Sequence, residues 1–275
     1  MNKIINTGSK RWYVWVSLLA SVIAVLVFIT GKNLPDFFPS KTQIAPASTA
    51  LPENPVIDYF PLFVGSSRVY SVGMSTPKTE GGSELVESTG TYTEKVIMVE
   101  SSAYEKLHIY KIEQTGEVFD LDCTGLEPTI GTVNKWYITD ENNLYVGCSE
   151  EAKNKIASAL YAQYFLNTPA TETQSLLPKI TFPLKIDSQW RAFYDMPLAP
   201  DGNKDYTWYV ESNESIETAA GKFNECFKIV LYTLPDTSFK YVCKGVGVVA
   251  LEYHHNGSPY KYRVELASYS LTGQP

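Results

Sequence analysis

The sequence predicts a mainly β protein: a single N-terminal transmembrane helix, then a curved antiparallel sheet or barrel-like meander made of two related halves with one connecting helix. Three observations predict it. The first is an uncharged apolar run from Trp12 to Ile29. The second is a series of short stretches beyond residue 57 in which apolar and polar residues alternate. The third is a segment that occurs twice, at Phe60 and again at Phe182.

The run WYVWVSLLASVIAVLVFI is 18 residues long, which as a helix spans roughly 27 Å, close to the hydrocarbon thickness of a bilayer. Lys3, Lys10 and Arg11 precede it, and only Lys32 follows before Asp36. The positive-inside rule therefore places the N-terminus in the cytoplasm. A cleaved signal peptide has a shorter apolar stretch ending in a small-residue cleavage site, whereas this run ends in Thr30, Gly31, Lys32 and Asn33. No cysteine lies nearby to carry a lipid. Residues 1–11 are read as a cytoplasmic tail and 12–30 as the membrane helix. In 31–56, Pro35, Pro39, Pro46, Pro52 and Pro55 stand among Ser, Thr and Ala, a composition that makes a stiff stalk with a reach of roughly 80 Å. Residues 57–272 are the extracytoplasmic β domain.

Within that domain Phe60-Pro-Leu-Phe-Val-Gly-Ser-Ser-Arg68 matches Phe182-Pro-Leu-Lys-Ile-Asp-Ser-Gln-Trp190 at an offset of 122, and Tyr92-Thr-Glu-Lys-Val96 echoes Tyr206-Thr-Trp-Tyr-Val210 at an offset of 114. A repeat of this length suggests a duplicated unit, with halves at 57–148 and 180–272. Strands are expected where apolar residues alternate between turn signals: 67–72, 91–99, 106–113, 135–139, 144–147, 189–194, 206–212, 223–233, 239–249 and 260–271. One stretch breaks the alternation. Ile156, Leu160 and Tyr164 recur every four residues, Ser149 suits an N-cap with Glu150 and Glu151 behind it, and Pro169 stops the chain. These signals predict a helical connector over 149–167.

Charge narrows the function. The first 32 residues hold four bases and no acid, so of the 23 bases and 30 acids in the chain, 19 bases face 30 acids beyond residue 32, a net of −11. Nucleic acid and anionic lipid both demand clustered Lys and Arg, so no nucleic-acid partner is expected. The 13% aromatic content, with 19 Tyr, suits strands and wet aromatic surfaces.

The opener FPLxxxS followed by Trp190, the stretch Ala220-Gly-Lys-Phe-Asn-Glu-Cys226 and the closer Tyr241-Val-Cys-Lys-Gly-Val-Gly-Val-Val249 together resemble a set of uncharacterised bacterial envelope proteins and lipoproteins with YFPL…G…W.Y, AGTF..C and GVGLV motifs. The resemblance covers roughly residues 57 to 272. It implies an exported β domain and no catalytic residue. Arg68 departs from it by replacing a Trp, and the chain has no lipobox.

The remaining motifs lack the context that their chemistry needs. Gly245-Val-Gly-Val-Val-Ala250 has the letters of a dinucleotide fingerprint, but Leu251-Glu-Tyr-His254 directly after it reads as strand, not helix. Asp120-Leu-Asp-Cys-Thr-Gly125 imitates a calcium loop whose twelfth position would be Gly131 instead of Glu. Asp201-Gly-Asn-Lys-Asp205 lacks the required glycine. His254 and His255 on a strand point to opposite faces and cannot share a metal. No nucleophile elbow accompanies the three histidines. No cofactor, metal or catalytic residue is expected.

Four cysteines, Cys123, Cys148, Cys226 and Cys243, lie in the exported part, where disulfides persist. The turn at Pro235-Asp236 folds two strands back so that Cys226 meets Cys243, which leaves Cys123 with Cys148. Aligning the apolar face Phe227, Ile229, Leu231 with Cys243, Tyr241, Phe239 puts Cys226 opposite Lys244, so the bond requires a bulge near Cys226 or Gly245. The expected function is a membrane-anchored, non-catalytic envelope domain binding an unknown partner or an apolar or saccharide ligand. An extracellular hydrolase using paired carboxylates is the alternative.

Overall fold

The computed structural model describes residues 55–78, 84–102, 106–120, 122–123, 128–166, 176–198 and 203–272. The expected cytoplasmic tail, membrane helix and stalk before Pro55 lie outside them, and no helix among the described residues is long and apolar enough to cross a membrane.

The described chain forms twelve strands and two helices. The strands are β1 (Ser67–Pro77), β2 (Leu85–Ser101), β3 (His108–Val118), β4 (Thr129–Thr139), β5 (Asn143–Gly147), β6 (Ile180–Thr181), β7 (Gln189–Arg191), β8 (Thr207–Thr218), β9 (Gly221–Tyr232), β10 (Asp236–Cys243), β11 (Gly247–His255) and β12 (Lys261–Ser270). The helices are α1 (Pro55–Tyr59) and α2 (Glu150–Phe165). All twelve strands join one antiparallel sheet in the order β6-β5-β4-β3-β2-β1-β12-β11-β10-β9-β8-β7, curled into a nearly closed barrel. Each half is a six-strand meander, and the two meet where β1 pairs with β12. The free edges are β6 and β7, of two and three residues, a length that leaves little backbone open to a foreign strand. Bulges after Val69, Val96 and Val210 and before Ile216 and Val242 supply local bends along the sheet.

The duplicated segments do the same work in both halves. Gly65 (φ 91°) and Asp187 (φ 66°) turn the chain in the left-handed region at matching positions. Ser66 N–H donates to the Phe63 carbonyl and Ser188 N–H to the Lys185 carbonyl, each at 2.9 Å. Gly65 and Ser66 then bond the backbone of Val96 as Asp187 and Ser188 bond that of Val210. Both valines are followed by a bulge. The two openers also touch: Phe60, Leu62, Phe182 and Leu184 are buried in one cluster with Val96 and Val210, and the Phe60 and Phe182 rings lie 6.4 Å apart.

Helix α2 starts where its cap predicts, Ser149 Oγ accepting from Ala152 N–H at 3.0 Å. Ile156 and Leu160 are buried, and Tyr164 faces out with its hydroxyl donating to Asp140 Oδ2 at 3.0 Å. Three expectations are corrected. Residues 55 and 56, expected in the stalk, belong to the folded domain, because Pro55 needs no N–H partner in the first turn of α1 and Val56 is fully buried. The single strand expected over 239–249 is two, β10 and β11, since Gly245 (φ 76°) and Gly247 (φ 95°) reverse the chain and Gly245 N–H bonds the Asp58 carbonyl at 2.7 Å. Cys226 stands directly opposite Cys243, not Lys244, and the β9–β10 ladder runs without a bulge. The partners of Phe227, Ile229 and Leu231 are Val242, Lys240 and Ser238, a face that looks solvent-exposed in sequence. Both expected disulfides, Cys226–Cys243 and Cys123–Cys148, are formed.

Candidate functional site

Two places concentrate polar chemistry, one inside the barrel and one outside. The inner one is built on β2, β3 and β4 with the loop after β3. Lys135 Nζ lies 2.7 Å from Glu94 Oε1 and 2.6 Å from Asp120 Oδ2. Gln114 Nε2 donates to the same two oxygens, at 2.8 and 2.9 Å. All four side chains are buried. Burial alone would pull the Lys135 ammonium down, and the Asp120 and Glu94 carboxylates together more than reverse it, holding it well above the usual lysine range. Two residues on, Asp122 pairs with Lys179 at 3.1 Å. Burial pushes the Asp122 carboxyl up, but the Lys179, Lys240 and Lys135 charges outweigh it and hold it well below the usual range. The adjacent Cys123–Cys148 bond tethers this loop to the start of α2.

The two halves carry equivalent positions here. Val96 faces Ile112, which faces Lys135; Val210 faces Ile229, which faces Lys240. Lys240 is thus the counterpart of Lys135, and it is equally buried. Its surroundings differ: Trp208 stands where the first half has Glu94, and Leu231 where it has Gln114. Trp190 replaces Arg68, which is buried and donates to the Val246 carbonyl at 2.7 Å. Lys240 Nζ lies 4.3 Å over the Trp208 ring, and burial draws its ammonium below the usual lysine range. The void beside these groups measures about 60 Å³. That is about two waters' share of liquid volume, far less than a sugar or a lipid chain needs.

The outer place is an open groove of about 740 Å³ across β12, β1, β2 and β3. Ser71, Thr89 and Thr91 offer hydroxyls, Gly73 leaves the floor bare, and Glu117, Glu265 and Arg263 bring charge. Arg263 is held by Glu252 at 2.6 Å and Glu265 at 2.5 Å. The Glu117 side chain has no hydrogen-bond or ion-pair partner among the described residues. Registers extend the row sideways from Thr89 through Gly73, Arg263 and Glu252 to Phe239. There the Phe239 ring contacts His254 at 5.5 Å and Tyr241 at 6.1 Å, with Lys228 Nζ 4.9 Å over it. The groove therefore runs into an aromatic strip.

No family model matches the chain, and no curated protein matches it. Three solved chains match at low identity, among them the following two. One is a Bacteroides fragilis protein, provisionally described as exported and given a YmcC-like fold: 13% identity, 77% of this chain and 98% of that chain covered, TM-score 0.41. The other is a Parabacteroides distasonis protein provisionally described as a lipoprotein: 12% identity, the same coverage, TM-score 0.39.

Of the residues singled out in the sequence, the four cysteines come together as two pairs. Asp120 and Asp122 face lysines in the barrel. Asp201 lies outside the described residues. His254 bonds Glu252 and His255 bonds Asp236, the two histidines separately engaged. Lys135, Lys240, Glu94, Gln114 and Arg263 were missed. Their signal is a polar residue at an alternating position of a strand, which by itself reads as solvent-facing.

Proposed function

We propose that this chain is a membrane-anchored, extracytoplasmic, non-catalytic domain that binds a saccharide along its outer face. The observation that carries this reading is the contrast between a barrel void of about 60 Å³ and an open groove of about 740 Å³. The inner void among the described residues is too small for an apolar ligand. Outside, the half-buried Phe239 ring near hydroxyls, carboxylates and a guanidinium offers an edge for a sugar face and directional partners for its hydroxyls. The excess of acids beyond residue 32 disfavours an anionic polymer, and the unpartnered Glu117 favours a neutral or amine-bearing one. Glu265 is occupied by Arg263, which argues against a free acid–base pair in the groove.

Calorimetry on the full chain in detergent, titrated with hexamers of glucosamine and of N-acetylglucosamine, tests the reading. Binding that weakens at least tenfold in Arg263→Ala and in Phe239→Ala, with the oligosaccharide recovered intact, supports it. Binding indifferent to both substitutions, or a shortened oligosaccharide, overturns it. N-terminal sequencing of protein taken from cells tests the anchor: a mature chain starting between residues 30 and 56 refutes it.

A further inference from the structure

The void inside the barrel has a lining that the surrounding ion pairs do not use. Lys240 is 95% buried, at 5% exposure, and lines this void together with Tyr70, Tyr92, Asp122 and Lys135. Among the described residues its Nζ has no hydrogen-bond acceptor and no carboxylate within ion-pair reach; it lies over the Trp208 ring and feels the Asp122 and Asp120 charges only at longer range. The nearby carboxylates are already committed, Glu94 and Asp120 to Lys135 and Asp122 to Lys179. The Tyr92 hydroxyl, on β2 and lining the same void, has no hydrogen-bond partner among the described residues either. Tyr70 is spoken for, donating to the Val248 carbonyl at 3.0 Å.

Among the described residues, the charged groups lining the void are Lys135 and Lys240 with Glu94, Asp120 and Asp122, and the three carboxylates are engaged by Lys135 and Lys179. A buried, unpaired ammonium is costly in a low-dielectric interior unless something neutralises it. We propose that this void is a binding site for one small monovalent anion, of halide or formate size, held by the Lys240 ammonium with the Tyr92 hydroxyl as a second donor. The size of the void excludes phosphate esters and sugars. Two donors without an acceptor, Lys240 Nζ and the Tyr92 hydroxyl, select an anion over a cation.

The experiment has two arms. Crystals of the full chain soaked in sodium bromide are measured at the bromine edge, and an anomalous peak within hydrogen-bond distance of Lys240 Nζ is expected. In solution, bromide replaces gluconate at constant ionic strength, and Tm is expected to rise saturably with bromide. Lys240→Met removes that dependence, and Tyr92→Phe weakens the apparent affinity several-fold while leaving Lys240 in place. Water alone at the position, or a bromide dependence of Tm that survives in Lys240→Met, overturns the proposal. Should Lys240→Met fail to fold, the crystal peak and the Tyr92→Phe titration decide.

Discussion

Lys135 and Lys240 occupy equivalent places in the two halves, so the same substitution at both isolates the effect of their neighbours. Lys135→Met leaves Glu94 and Asp120, which stood 2.7 and 2.6 Å from the lost ammonium, buried and charged. Breaking a buried pair from one side costs about 3–5 kcal/mol. For a domain of this size ~1 kcal/mol moves Tm by roughly 2–4 °C, so a fall of about 6–20 °C is expected. Lys240→Met removes a cation that forms no ion pair among the described residues and acts on Asp122 only at longer range. It gives up the contact with Trp208, worth about 2 kcal/mol when desolvated, and is relieved of an ammonium desolvation of several kcal/mol. The expected net gain is about 1–2 kcal/mol, a rise of roughly 2–8 °C in a halide-free gluconate buffer. Differential scanning calorimetry of the two single variants and the double variant provides the assay. Equal losses in both single variants would show that Lys240 is paired as firmly as Lys135, and the description of the barrel interior would be wrong.

Acid titration probes Asp122. Its folded pKa is depressed, so the stability it contributes is present above its unfolded value of 3.8 and is lost as pH falls through the lower folded value; Asp122→Asn should be less stable than wild type at neutral pH, the difference vanishing in strong acid. Gly116 sits at φ 116° with room for no Cβ, since one would stand 2.5 Å from the Thr91 carbonyl oxygen; Gly116→Ala should cost about 1–3 kcal/mol in urea unfolding, and an unchanged midpoint would contradict the β2–β3 pairing there. Removing the Cys226–Cys243 bond, which closes a separation of 17 residues, should cost about 3 kcal/mol. Non-reducing peptide maps should link Cys226 only to Cys243 and Cys123 only to Cys148.

Much of the fold was legible because its signals are local. The cap at Ser149, the four-residue spacing of Ile156 and Leu160, and the alternation in β1, β3 and β12 each declare themselves within a dozen residues. The repeat was legible only at its openers. The offset is 122 at Phe60, 114 at Val96 and 105 at Lys135, because loops of unequal length separate the matching strands. Lys135 and Lys240 therefore never align in a simple comparison. Alternation assigns a lysine to the solvent side, and only the carboxylates brought by other strands make Lys135 a core residue. The same assumption displaced the predicted Cys226 register by one residue. Strands β6 and β7 were too short to leave a pattern. The groove is assembled from β3, β2, β1 and β12, so no stretch of sequence contains it.

The pairing of β1 with β12 joins Ser67 to Ser270, a ladder between residues about two hundred positions apart. Every other pair of neighbours in the sheet is consecutive in sequence. Each meander can therefore zip up locally as its strands become available, while the middle of the barrel waits for the last one. Long-range closure of this kind is slow, because the chain entropy is lost before the contacts form. The expected order is two half-sheets first and one late docking step, during which the inner faces of β1 and β12 are exposed together. A chaperone that shields this protein during folding would have its critical moment there, and its natural target is the freshly delivered β12.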